Sequence, residues 1–257
     1  MYTVISPAKR LHEGYAAGEL PHSLPHWLED STTLAKRLRA LGPARLESLM
    51  KISADLAALN DTRFRDWTGK PSIQNARQAV LTFAGDTYVG LDAATMAPSD
   101  LEYAQEHLGI LSGLHGILRP LDLIQPYRLE MGTRLTNPRG KNLYEFWGAK
   151  ISEKITKQLE THADRTLINL ASAEYFKAVR PALLPGRVIT PVFKEVKGGQ
   201  AKVIGFSAKR ARGAMAGYIV RERIEEAESL KAFDGLDYRY QGDLSNDTDW
   251  VFTRIAR

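Results

Sequence analysis

Two hydrophobic periods alternate along the chain, and they predict strands interleaved with helices. Tyr2 to Ser6 (YTVIS) is a short apolar, β-branched run closed by Pro7, and Thr166 to Leu170 (TLINL) is another. Runs of this length without a polar face suit strands buried on both sides. Arg187 to Glu195 and Lys202 to Ser207 flank Gly198-Gly199, a two-residue hairpin signal. Ala79 to Phe83 (AVLTF), with Thr87 to Gly90 beside it, and Trp250 to Thr253 complete the expected strands. The helical period is equally plain. Ser31-Thr32-Thr33 is placed to cap a helix that Gly42-Pro43 ends, and Leu46, Leu49, Met50, Ile52, Leu56 and Leu59 then fall on one helical face. Leu143 to Leu159 is amphipathic with Tyr144, Trp147, Ile151 and Ile155 inward, and Ser172 is placed to cap a helix over 173–179. This alternation predicts an α/β fold, a mixed sheet with surrounding helices.

The stretch from Tyr103 to Arg134 stands at the centre of this pattern. Pro98-Ser99-Asp100 starts a helix with Leu101, Ala104, Leu108 and Leu111 on its inner face, and it runs into Leu111-Ser112-Gly113-Leu114-His115-Gly116. Periodicity alone equally allows Leu108 to Ser112 to be a buried strand. Two glycines three apart make a tight turn that can present backbone amides to an anion, or a plain turn between two core elements. Arg119 follows at once, and Pro126 then holds Tyr127 and Arg128 in an extended segment.

Charge adds to this picture because it is local. The formal net charge is +5 over 257 residues, yet residues 119–141 carry net +3 and residues 207–223 net +4, leaving the remainder at −2. Local basicity is what a phosphate site requires. The second window opens a helix with Lys209, Arg210 and Arg212, cations at the end where the helix dipole disfavours them unless an anion is near. Lys9 and Arg10 lie just past the end of the first strand, on the edge of an α/β sheet where ligands gather. Cysteine is absent, which removes disulfide partners, thiolate nucleophiles and zinc-thiolate sites together. The connection over 13–28 contains His22 and His26 around a proline, which spoils helical metal-ligand spacing, so no metal or cofactor is expected. No apolar run reaches the ~18 residues of a membrane helix, and MYTVISPAKR lacks the plan of a signal peptide. The expectation is a cytoplasmic protein with no membrane partner.

Seven short motifs, Ser6-Pro7-Ala8-Lys9, Asn75-Ala76-Arg77-Gln78-Ala79, Leu111 to Gly116, Arg119-Pro120-Leu121-Asp122, Gln125 to Met131, Ile168 to Ser172 and Ala208 to Gly213, together resemble the YaaA peroxide-stress family (UPF0246). The resemblance runs along essentially the whole chain. It implies a single domain over 1–257 of the type called the cantaloupe fold, with a helix-hairpin-helix element over about 98–125. It further implies a double-stranded DNA-binding protein of the peroxide response, limiting oxidative DNA damage and linked to intracellular iron control, with a basic cleft. His115 stands where that family usually has a tyrosine, so a stacking role there is in doubt, while a histidine can bring partial charge near phosphate.

The expected DNA contacts are Lys9, Gly113, His115, Gly116, Arg119, Arg128, Arg134, Lys209, Arg210 and Arg212. The partner is duplex or branched DNA; no catalytic residue and no oligomeric state is assigned. A second reading is an enzyme acting on nucleic acid or nucleotides, with Asp86, Asp122 or Glu130 as acid/base groups and Asn169, Lys9 and Arg128 holding phosphate. No Walker loop, GxSxG elbow or kinase signature specifies its chemistry. A third, iron sequestration, lacks any Glu-x-x-His helical pair.

Overall fold

The main sheet of the computed structural model, which describes residues 1–12 and 20–256, has eight strands. They are β1 (Tyr2–Ile5), β2 (Leu108–Ser112), β3 (Gly116–Leu118), β4 (Leu167–Leu170), β5 (Val188–Lys197), β6 (Gln200–Lys202), β7 (Arg239–Tyr240) and β8 (Asp249–Ile255). Their order in space is β7-β8-β5-β4-β1-β2-β3, with β6 folded back on β5. The five strands from β8 to β2 are parallel; β3, β6 and β7 are antiparallel to their partners. In β1, Val4 pairs with Gly109 on one side and Asn169 on the other, and all four residues of the strand are buried. A central parallel strand is covered on both faces, which is why YTVI has no polar face.

The chain leaves β1 to build β2 on one side and later returns to add β4 on the other. Strand order therefore reverses at β1, the topology that opens a crevice outside the carboxyl ends of the strands.

Helices pack around the sheet: α1 (Leu28–Arg39), α2 (Pro43–Met50), α3 (Ala54–Asp66), α4 (Asp86–Leu91), α5 (Pro98–His107), α6 (Lys150–Leu159) and α7 (Gly205–Arg221). One continuous core links them to the sheet. The closest approach is between α4 and α7, where glycines let backbones touch. A Cβ on Gly213 would lie 1.8 Å from the Thr87 carbonyl oxygen, and one on Gly90 would lie 2.0 Å from the Arg210 carbonyl oxygen. Only glycine fits at such distances.

Several local expectations are corrected. The hydroxyls of Ser31, Thr32 and Thr33 donate back to the carbonyls of Trp27, Leu28 and Glu29, so these residues sit inside α1, which starts at Leu28. Residues 79–82 form one helical turn, and Asp86 to Leu91 is helical where a strand was expected. The helix expected over 143–159 is broken at Gly148 (φ +54°), and Gly205 begins α7 where the second hairpin strand was expected to continue. The hairpin tip itself is as anticipated, with Gly198 and Gly199 both at positive φ.

The helix-hairpin-helix expected over about 98–125 takes a different form. Helix α5 ends at His107 and the chain passes directly into β2, so the turn at 113–115 joins two strands. Its residues are buried. A Cβ on Gly113 would lie 2.4 Å from the Leu129 carbonyl oxygen; Gly116 has φ +72° and packs under Trp27 and Trp147. The indole N–H of Trp147 donates to the Gly113 carbonyl at 3.0 Å. Both glycines thus serve close interior packing. Part of the 13–28 connection, residues 13–19, lies outside the described residues.

Candidate functional site

A crevice of about 540 Å³ opens at the carboxyl ends of β1 and β4, where strand order reverses. Lys9 and Arg10 reach it from the segment after β1, Glu130 from a loop beyond β3, Glu174 from the helical turn 173–176 after β4, Asp86 from the start of α4, and Lys209 and Arg212 from α7. Its floor carries two hydroxyls. The Ser6 hydroxyl donates to Ser172 Oγ at 3.3 Å and accepts the Ser172 backbone N–H at 2.9 Å. The Ser172 side chain is therefore turned to Ser6 and does not cap the turn over 173–176. Tyr88, also in the wall, donates its phenol to the Ser6 carbonyl at 3.1 Å. Burial holds that phenol's pKa well above the usual value, with Tyr127 and Tyr175 adding to the effect.

Ionic contacts divide the crevice into a satisfied side and an unsatisfied one. Glu130 Oε2 pairs with Lys9 Nζ at 3.0 Å, while its Oε1 takes Arg128 Nη2 at 2.9 Å. Glu174 Oε1 accepts the Gly132 backbone N–H at 2.9 Å. Of the cations on α7, Lys209 and Arg212 in the crevice and Arg210 outside it have no hydrogen-bond or ion-pair partner among the described residues. Arg212 is half-buried, and burial lowers its pKa from the ordinary guanidinium value. A desolvated, unpartnered guanidinium favours an anion beside it. A second cavity of about 600 Å³ shares Glu130 and Glu174 with the crevice and has Arg134 on its far side.

The expected site residues separate accordingly. Lys9, Lys209 and Arg212 line one crevice, with Arg128 behind Glu130; Arg134 borders the neighbouring cavity, and exposed Arg210 lies outside the lining. Arg119 lies near Tyr2, at the opposite edge of the sheet. Its side chain binds the Asp122 carboxylate at 3.0 Å and the Leu24 carbonyl at 3.2 Å. Gly113, His115 and Gly116 are interior. His115 Nδ1 lies 2.9 Å from the Ser31 hydroxyl, and burial pushes its pKa down to about 3. The ring is uncharged at neutral pH and out of reach of an external phosphate, which corrects the charge and contact expected of it. Tyr127 is likewise a core residue, its phenol 2.6 Å from Ser112 Oγ. Asn169 makes structural bonds to Thr190 and Ala171.

Of the three candidate acid/base carboxylates, Asp86 and Glu130 share the crevice and Asp122 does not. Glu174 and Tyr175, two and three residues past Ser172 in the helical turn after a buried strand, were not anticipated; position after the strand was the one signal available. Among the described residues no group of three His, Asp or Glu side chains is arranged to hold a metal ion, and no helix is long and apolar enough to cross a membrane.

An α/β protein with a mixed sheet reversing at its first strand, and with opposed cations and carboxylates at that reversal, is the class the structure defines. The family model described as peroxide stress protein YaaA matches residues 1–244. A UPF0246 protein of Magnetococcus marinus is 53% identical over 256 residues, covering 100% of both chains. One from Ralstonia nicotianae is 50% identical with the same coverage, and one from Paraburkholderia phytofirmans is 50% identical over 99% of this chain and 98% of its own. The chain belongs to the peroxide stress protein YaaA family.

Proposed function

We propose that this protein binds double-stranded DNA in the cytoplasm during peroxide stress, gripping phosphates without reading sequence, and so limits oxidative DNA damage in connection with control of intracellular iron. The observation that carries this reading is the set of unpartnered cations on the first turns of α7, Lys209, Arg210 and Arg212, beside Lys9. Cations on a folded surface that spend nothing on internal ion pairs remain available to a polyanion. Arg134, exposed beside the adjoining cavity, extends the same surface. The family's association with peroxide stress supplies the setting. Titration of duplex and branched DNA between ~50 and ~200 mM salt tests it: log affinity should fall linearly with log salt, by about 0.9 for each phosphate neutralised. Salt-independent binding, or none at ~50 mM, overturns the proposal.

A second reading, an enzyme acting on nucleic acid or nucleotides, draws on a different observation. Asp86, Glu130 and Glu174 face cations and two hydroxyls in one crevice at the strand reversal. Incubation of labelled DNA and nucleotides with the protein, with and without divalent cations, should then yield a product; unchanged material removes this reading.

A further inference from the structure

We propose that the crevice takes one phosphorylated nucleoside unit, its phosphate on Arg212 and Lys209, its sugar hydroxyls toward Glu174 and Asp86, and its base on Phe206. This deepens the phosphate-binding reading above and rests on it for the role of the α7 cations.

Size sets the first limit. A cavity of about 540 Å³ has the volume of a small-molecule site and cannot enclose a double helix. Duplex DNA can lie over the mouth; only a single unit can enter. The volume is also within the range of small-molecule pockets, roughly 300–1,000 Å³.

Charge sets the second. Four cations, Lys9, Arg10, Lys209 and Arg212, face three carboxylates, Asp86, Glu130 and Glu174. A run of phosphates drawn inside would meet those carboxylates. A ligand with one phosphate and several hydroxyl donors matches both signs: phosphate on the guanidinium, hydroxyls donating to carboxylate oxygens. Acidic side chains hold ribose hydroxyls in this way at other α/β strand-order reversals. Glu130 is neutralised by Lys9 and Arg128, and Glu174 accepts the Gly132 N–H, which leaves further acceptor capacity on Glu174 and Asp86.

The base is assigned by an apolar surface that folding leaves open. Phe206 is 67% exposed, three residues before Lys209 and six before Arg212 on α7, and its neighbours Val203 and Ile204 are also exposed. Phe206 is outside the crevice lining, but its helical i, i+3 spacing sets it beside Lys209, which is part of that lining. Aromatic faces stack bases with little regard to sequence.

Calorimetric titration of the full-length protein with a nucleoside 5′-monophosphate, ribose 5-phosphate and inorganic phosphate tests the assignment. The nucleotide should bind about tenfold more tightly than ribose 5-phosphate, and Phe206→Ala should abolish that advantage while leaving ribose 5-phosphate affinity unchanged. Phe206 is exposed, so this variant keeps the fold. Arg212→Gln should weaken all three ligands at least tenfold, about 1.4 kcal/mol, with thermal unfolding unchanged. Comparing 5′-phosphorylated with 5′-hydroxyl single strands separates the two sources of the ligand: preference for the phosphorylated end assigns a strand terminus, and equal binding with a tight free nucleotide assigns the free nucleotide. A duplex closed by hairpin loops at both ends is titrated in parallel. If it binds and the nucleotide does not, this site is overturned while the DNA-binding reading stands; if the nucleotide binds and the closed duplex does not, the DNA-binding reading falls and the site stands. Equal affinity for nucleotide and inorganic phosphate, unaffected by Phe206→Ala, overturns the base and sugar assignments.

Discussion

Two stretches of this chain combine glycine with basic side chains, residues 113–139 and residues 205–212, and the fold uses them in opposite ways. In the first, the glycine turn is buried and three of the four arginines are tied down, Arg119 to Asp122, Arg128 to Glu130 and exposed Arg139 to Asp30, while Arg134 stays exposed at the neighbouring cavity. In the second, Lys209, Arg210 and Arg212 have no partner among the described residues and Phe206 faces solvent. The contrast continues along α7, where Arg221 donates to the carbonyls of Leu91 and Asp92 and Arg223 pairs with Asp100. Charge density along a sequence therefore does not separate cations that fold into ion pairs from cations left without a partner. What separates them is whether a carboxylate or carbonyl lies within reach after folding.

The largest effect that would sharpen this contrast is on pH. Burial depresses the folded-state pKa of His115 to about 3, so the unfolded chain binds its proton first as pH falls. The stability this ring contributes is complete above pH ~6.5 and is lost progressively toward pH ~3, a total of roughly 5 kcal/mol. Urea unfolding across that range should show the loss, and His115→Gln should lack it. The DNA salt slope should stay constant between pH 6 and 8; a slope that changes across that range in the parent but not in His115→Gln would restore this ring to the site.

Next in size, Gly213→Val should cost about 3 kcal/mol or more, because its side chain has no room against the Thr87 carbonyl. Thermal unfolding and DNA binding should fail together, since α4 contact positions the cations of α7. Arg119→Ala should cost roughly 2 kcal/mol: Asp122, nearly inaccessible, loses its charged partner but keeps hydrogen bonds from the Ser23 hydroxyl and the Arg119 backbone. Its salt slope should be that of the parent protein. Lys209→Ala with Arg210→Ala should do the reverse, lowering the slope by up to ~2 with unfolding unchanged. If Arg119→Ala reduces the slope as much as the α7 pair, the division between the two stretches is wrong. The smallest effect belongs to Asp30. Burial opposes its ionisation, but Arg139 and Lys150 outweigh burial and hold its pKa below the usual value. That contribution is present above the ordinary carboxylate range and lost as pH falls through the depressed value, so Asp30→Asn should flatten acid unfolding slightly.

The sheet was legible where burial is two-sided. YTVI and LINL have no polar face because both are central parallel strands whose two faces are covered, and Gly198-Gly199 marked its hairpin because both residues sit at positive φ. AVLTF was not legible: four buried residues suit one helical turn as well as a strand, and length alone could not decide. Ser31 to Thr33 misled because hydroxyls that cap a helix also bond back to carbonyls within one. At the site, Lys9 could be placed by its position after β1, whereas nothing in the sequence tells that Arg128 would be neutralised by Glu130 two residues on, or that Arg119 would reach Asp122 at the far edge of the sheet.

The backbone contact between α4 and α7 has a consequence for how fast and at what entropic cost a ligand can be held. Gly90 and Gly213 let the two helices interlock backbone to backbone, so the proposed ligand would meet Arg212 on a closely packed helix. Association then requires only side-chain rotation, not helix rearrangement. The expected kinetic signature is a single-step approach limited by diffusion and steered by charge, with dissociation alone varying among ligands.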